Sequence, residues 1–212
     1  FAIDRAGLVG SDGETHQGIF DLSYLGTIPN MSIFAPKNDS ELAAGLEFGL
    51  MNYNGPFAIR YPRGKACTRF REFNEPVLYG KSEVLYMEKD IALLAVGSMV
   101  ETASDVRDKL KEKGYNVSLI NARFVKPVDT TVIHRCADNH QLLVTLEENV
   151  YTGGFGERVC HYVEEACLNI KVLNISLPDD YVEHGNVEIL KAEEGINVDS
   201  VITRVESFYN NM

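Results

Sequence analysis

The chain has 212 residues, of which 45% are hydrophobic and 24% charged, with a formal net charge of -11. That size and composition suit one large or two small globular domains. The acidic balance excludes non-specific binding to nucleic acid or to an anionic membrane surface, while leaving room for a small anionic substrate held by a few local arginines.

No apolar run approaches the ~20 residues of a membrane helix, and no signal-peptide pattern opens the chain. Phe1 to Ile3 reads directly as a buried strand, so the chain is expected to be a piece of something longer. From Arg5 a glycine-punctuated loop, RAGLVGSDGETHQG, runs to Gly18. Ile19, Phe20, Leu22, Leu25 and Ile28 then recur at helical spacing. Met31 to Ala35 is a short apolar strand stopped by Pro36. Asn38, Asp39 and Ser40 offer an N-cap to a helix whose apolar positions are Leu42, Leu46, Phe48 and Leu50. Asn54-Gly55-Pro56 ends it, and Phe57 to Tyr61 is the next strand. Strand, helix, strand, helix, strand with continuous strand hydrophobicity predicts a parallel sheet.

Arg63 to Ser82 has no helical period and reads as an ordered linker to a second domain. There, strands are predicted at Ile91 to Val96, Val117 to Ile120, Gln141 to Leu146 and Ile170 to Ile175. Helices are predicted at Val100 to Lys113, Thr130 to Ala137, Glu157 to Cys167, Val187 to Glu193 and Val198 to Tyr209. The four cysteines (Cys67, Cys136, Cys160, Cys167) form no C-x-x-C. Cys160 and Cys167 share one predicted helical face and are expected to be buried fillers, and a reducing compartment is the simplest account.

Chemistry concentrates at strand ends, where ligands sit in open α/β sheets. His16, on a polar loop, reads equally as a proton shuttle and as a polar residue of the following first helical turn. Asp12 can orient that imidazole or bind a substrate hydroxyl, although S-D-G is also common turn composition and spacing alone favours the turn. Arg5 and Arg63 both follow strand ends. If their strands are neighbours, the two guanidiniums emerge on one side and suit a phosphate or carboxylate, the alternative being separate ion pairs. Arg60, inside its strand, reads as structural. Gly153-Gly154-Phe155-Gly156 opens a helix whose amides can hold an anion, but tight packing of the turn is the preferred reading. Glu147 and Glu148, adjacent in a strand, point to opposite faces and make a poor acid/base pair. His134, His140, His161 and His184 have no metal-ligand spacing.

Taken together, DRAGLVGSDGETHQGIFDLSYL, IPNMSIFAP, GPFAIRYPRG, NARFVKPVD, VTLEEN with GGFG, and LPDDYVEHG resemble the transketolase-like, thiamine-diphosphate-dependent family, and within it the C-terminal part of the 1-deoxy-D-xylulose-5-phosphate synthases. The resemblance implies the later half of a parallel-sheet pyrimidine-binding domain over residues 1–80. It implies a C-terminal α/β domain with a mixed sheet over residues 81–212. It implies a condensation of pyruvate with D-glyceraldehyde 3-phosphate that releases carbon dioxide, for isoprenoid, thiamine and pyridoxal synthesis. By position, His16 is the proton-transfer histidine, Asp12 helps hold the substrate, and Arg5 and Arg63 bind the aldehyde's phosphate.

Thiamine diphosphate and Mg2+ are the implied cofactors. The family's GDG…N motif and its activating glutamate have no counterpart in the chain, so no cofactor-binding or metal residue is assigned and the chain alone is expected to be inactive. A homodimer with the rest of the enzyme is implied, in a bacterial cytoplasm or a plastid-type organelle. Two other readings stay open: a folded dimerisation module, and a β-type subunit of a 2-oxoacid dehydrogenase or transketolase.

Overall fold

The computed structural model describes residues 1–212. Its first sheet contains β1 (Ala2–Ile3), β2 (Ser32–Phe34), β3 (Phe57–Arg60) and β7 (Phe124–Lys126), in the order β1-β3-β2-β7. β1, β3 and β2 are parallel, whereas β7 runs antiparallel to β2. The second sheet holds β4 (Glu83–Tyr86), β5 (Asp90–Ala95), β6 (Val117–Asn121), β8 (His140–Val150) and β9 (Lys171–Leu177), in the order β4-β6-β5-β8-β9. Only the β4–β6 pairing in it is antiparallel. The fold is therefore α/β with two mixed sheets.

The helices are α1 (Asp21–Gly26), α2 (Asp39–Glu47), α3 (Met99–Glu112), α4 (Thr130–Asn139), α5 (Phe155–Glu165), α6 (Val187–Glu193) and α7 (Val198–Asn210). The predicted cap holds: the Asn38 side chain accepts the Glu41 amide. α2 continues as a π-helical turn over Phe48–Asn52.

Side-chain alternation sorts the second sheet into two cores. Ile91, Leu93 and Ala95 of β5 face Met99, Val106 and Leu110 of α3 and Val201 and Val205 of α7. Ala92 and Leu94 face the opposite way, toward Ile133 of α4 and Phe155 and Val159 of α5. That second core also takes in Leu22, Ile33 and Ala58 from the first sheet and its helix, so the two sheets share apolar interior.

Arg63 to Ser82 contains no helix or strand and is ordered by packing, in line with the linker reading: Phe70 is buried, and Asn38 Nδ2 donates to Arg69 O at 2.8 Å. Other expectations are corrected. β7 lies beyond this segment yet completes the first sheet, because the chain turns at Arg123 (φ +55°) and the Ala35 amide donates to Arg123 O at 2.7 Å. Leu46 and Leu50 are exposed. The buried face of α2 instead carries Glu41 and Gly45, where an added Cβ would stand 2.4 Å from the Phe34 ring. Cys167 is exposed and Cys160 half-buried, because α5 stops at Glu165 and Cys167 adopts φ +52° beyond it. All four cysteines are free thiols.

Candidate functional site

β1 and β3 are adjacent and parallel, with Ala2 opposite Ile59 and Ile3 opposite Arg60. Both strands therefore release their chains at the same edge, Arg5 from one and Arg63 from the other. Arg5 turns the chain with φ +58°. The loop then closes on itself, Gly18 N donating to Arg5 O at 2.9 Å and Gly7 N to Gly18 O at 3.0 Å. Gly18 has to be glycine, since a Cβ there would lie 2.3 Å from Arg5 O. Inside the loop, turns at Val9–Asp12 and Gly13–His16 are closed by amide-to-carbonyl bonds of 2.8 and 3.1 Å.

The geometry brings together three of the four residues singled out by sequence. The Asp12 carboxylate sits between the two guanidiniums: Arg5 Nε lies 3.0 Å from Oδ2, and Arg63 Nη1 donates to Oδ1. The Arg63 hydrogen bond, with the charges of Arg63, Arg5 and His16, holds the Asp12 carboxyl below its ordinary value against the desolvation that opposes it. Asp12 is thus occupied by arginines and does not orient the histidine. His16 is exposed, and its Nδ1 is paired with Thr15 Oγ1 at 2.8 Å. About 46% of the Arg63 side chain is covered and 59% of that of Arg5, since their relative exposures are 54% and 41%.

Arg63 also lines a cleft of about 690 Å3 formed where β1, β2, β3 and β5 end, together with Asp4, Asn38, Lys65, Arg69 and Ser98. Lys65 and Arg69 add positive charge that sequence reasoning did not assign, and Arg69 is already paired with Glu101 and Asp105. The signal available was the spacing of basic residues after Y-P-R-G.

Arg60 is structural, as its place inside β3 suggested. It is buried, donating from Nη2 to Gly18 O at 2.6 Å and to Glu148 O at 2.9 Å. Glu147 and Glu148 do point apart. Glu148 accepts from Ser98 Oγ at 2.5 Å and pairs with Lys191 at 3.2 Å. Glu147 accepts the amides of Phe155 and Gly156, both at 2.8 Å. The amides of the glycine-rich helix start are thus taken by this chain's own Glu147 carboxyl group. The turn is also tightly packed, since a Cβ on Gly154 would meet Glu147 at 2.8 Å. No group of three or more His, Cys, Asp or Glu side chains is gathered to hold a metal ion. No helix is long and apolar enough to cross a membrane.

Comparison with known proteins matches residues 80–201 to "Transketolase, C-terminal domain" and residues 1–68 to "Transketolase, pyrimidine binding domain". Curated relatives named 1-deoxy-D-xylulose-5-phosphate synthase include that of Lachnoclostridium phytofermentans, 46% identical over 97% of this chain and 33% of its own length. That of Clostridium tetani is 44% identical over 97% and 33%. That of Dictyoglomus thermophilum is 44% identical over 98% and 34%. The chain therefore spans about a third of the length of the curated relatives it matches. Among solved structures, a chain titled "Split gene transketolase, inactive beta4 tetramer" superposes with a TM-score of 0.86 at 25% identity, covering 97% of this chain and 65% of that one.

Proposed function

We propose a function on the premise that this chain belongs to the transketolase family and corresponds to the C-terminal portion of the 1-deoxy-D-xylulose-5-phosphate synthases. The proposed activity of the whole enzyme is a transketolase-like transfer that forms a C–C bond. Pyruvate and D-glyceraldehyde 3-phosphate condense with loss of carbon dioxide, giving a precursor for isoprenoid, thiamine and pyridoxal synthesis.

Within it, this chain supplies the acceptor side. Arg5 and Arg63 bind the aldehyde's phosphate, Asp12 pairs with those arginines until the phosphate arrives and helps hold the substrate beside them, and His16 moves a proton. The observation that carries this reading is the convergence of Arg5, Asp12 and Arg63 where two adjacent parallel strands end. Two guanidiniums facing one carboxylate present the forked donors that a phosphate accepts.

The family implies thiamine diphosphate and a divalent metal, Mg2+, and the residues present here do not fit them. There is no acidic cluster for the cation, and the amides at the start of α5 are taken by Glu147. The cofactor side is therefore assigned to the remainder of the longer enzyme, in a homodimer, and the 212 residues alone are inactive in this reading. The free thiols are compatible with a reducing compartment, a bacterial cytoplasm or a plastid-type organelle.

A second reading, a subunit of a split enzyme, is favoured by one observation: the split-gene transketolase chain, whose title calls its assembly inactive, covers nearly the whole of this one. The higher identity to the synthases favours the first reading, as do the DRAG and YPRG segments. A dimerisation module alone would leave the clustered arginines without a task.

The test is Arg63→Ala in the full-length enzyme. Loss of a charge-assisted contact worth about 1.5–3 kcal/mol raises the KM for glyceraldehyde 3-phosphate roughly 10- to 150-fold. An unchanged KM would remove the phosphate-binding role.

A further inference from the structure

The tip of the loop, residues 11–16 with Asp12 and His16, is exposed or half-buried, yet its base is tied to a segment far along the chain. Gln17, next to His16, is buried at 6% exposure. Its Oε1 accepts the Val9 amide at 3.0 Å, and its Nε2 donates to Val182 O at 2.7 Å. One amide side chain therefore closes the loop from Val9 to Gln17 and fastens it to residues 182–185. A second fastening runs backbone to backbone, with Gly185 N donating to Gly10 O at 3.1 Å. The approach there excludes any side chain, since a Cβ on Gly10 would stand 1.9 Å from Gly185 O.

The segment is itself anchored. Val182 is 2% exposed and shares a core cluster with Leu8, Ile19 and Leu190. Asn186 caps α6 directly after it, accepting the Glu188 amide at 2.9 Å.

We propose that Gln17 is a positioning residue and that Val182–Gly185 is a strap that fixes the Asp12–His16 loop against the edge of the first sheet. The proposal rests on the proposed role of His16 as a proton carrier, and it extends the active-site machinery to a segment 165 residues along the chain. The chemistry of Gln17 is specific. Only a side chain with an acceptor for Val9 N and a donor for Val182 O, at this length, satisfies both ends. Glu at this position keeps the acceptor but turns a carboxylate toward the Val182 and Glu183 carbonyls until it is protonated, when it can donate again. Met has the length and neither function.

The experiment uses the full-length enzyme with pyruvate and glyceraldehyde 3-phosphate, and compares Gln17→Met, Gln17→Glu and His16→Ala. In Gln17→Met, amide hydrogen exchange over residues 8–18 speeds up, and kcat falls on the order of 100-fold, the scale of a misplaced catalytic group. KM changes far less, and the thermal unfolding midpoint stays within a few degrees. In Gln17→Glu, activity relative to the wild type recovers as the pH is lowered, which is a response that general destabilisation does not give. Unchanged exchange over 8–18, or full kcat in Gln17→Met while His16→Ala loses turnover, overturns the strap proposal. Full turnover in His16→Ala strikes the proton role instead, and exchange over 8–18 still decides whether the strap holds the loop. Should Gln17→Met fail to fold, the pH response of Gln17→Glu decides: recovery supports the proposal and a flat deficit overturns it.

Discussion

Arg123 and Glu41 stand 82 positions apart in sequence and are joined by Nε donating to Oε1 at 2.6 Å. Around them closes a ring of buried charge. Lys37 Nζ lies 3.2 Å from Glu41 and 2.6 Å from Glu83, and Arg123 Nη2 lies 2.7 Å from Glu83. Asn121 Nδ2 donates to both oxygens of Glu41 at 2.8 and 2.9 Å, and the Lys37 amide donates to Oε2 at 2.6 Å. The two cations and two carboxylates balance, and they tie α2 of the first sheet to β4, β6 and the turn into β7. Two of the ring's neighbours in sequence, Asn38 and Asp39, line the cleft beside Arg63.

Removing one member leaves an uncompensated buried charge. Lys37→Met is expected to cost about 3–5 kcal/mol in urea denaturation. The double change Lys37→Met with Glu83→Gln restores the balance and should recover part of that loss. A double variant less stable than the sum of both single changes would show that hydrogen-bond geometry, and not charge balance, sets the cost.

The sequence made four of the five strands of the second sheet and its helices legible through apolar runs and helical periodicity, and missed β4, a four-residue edge strand directly after the linker. It located Arg5 and Arg63 because a parallel pairing of two short strands constrains where both chains emerge. What it hid was long-range. Glu41 is not among the apolar positions that mark its helix, and only Lys37 and the distant Glu83, Asn121 and Arg123 make it a buried one. β7 is three residues of a segment that reads as a loop, and it becomes a strand because β2 offers an edge. The burial of Cys167 failed as an expectation because a seven-residue spacing places two side chains on one face only while the helix lasts. Gln17 gave no signal, since its partner at Val182 is 165 residues away.

Glu147 makes stability depend on pH in a direction opposite to the usual carboxylate. Burial pushes its carboxyl up to about 7, against the pull of the Phe155 and Gly156 amides. In the unfolded chain it titrates near 4.3. Between those values the folded state holds a proton that the unfolded state has released, so this group's contribution is full below about pH 4.3 and is lost as the pH rises to about 7. Wild type should therefore lose stability relative to Glu147→Gln across that window, by up to about 1.4 kcal/mol per pH unit. Denaturant unfolding of both at pH 5 and pH 7.5 checks it. A wild-type stability that stays level or rises relative to Glu147→Gln between those two pH values would refute the assignment.

Arg60 joins the loop, α1 and the second sheet in one side chain. Besides Gly18 O and Glu148 O, it reaches Asp21 Oδ2 at 3.4 Å. Arg60→Met takes a donor from each of these acceptors, leaving Gly18 O only the Gly7 amide and Asp21 without its buried cation, and a loss of about 3–5 kcal/mol is expected for breaking a buried pair. Arg60→Lys should recover little of it, because an ammonium cannot reproduce a planar fork of donors. If Lys restored wild-type unfolding, charge alone would account for the site and the fork would be irrelevant.

Asp12 occupies the position between Arg5 and Arg63 that a phosphate would compete for. Its carboxyl is held below the ordinary value, first by the Arg63 hydrogen bond. The stabilisation it gives the loop is therefore present above about pH 3.9 and is lost only as the pH falls through the lower folded value. At neutral pH the carboxylate is fully charged, and any phosphate must displace it or share the guanidiniums with it. Asp12→Asn removes that competitor while keeping the side chain's size. The affinity for inorganic phosphate, read by calorimetric titration at low ionic strength, should rise roughly two- to fivefold, the scale of an exposed ion pair. Adding Arg63→Ala to that variant should abolish the gain. Phosphate binding that weakens in Asp12→Asn would mean that the carboxylate organises the two arginines for their ligand more than it competes with it.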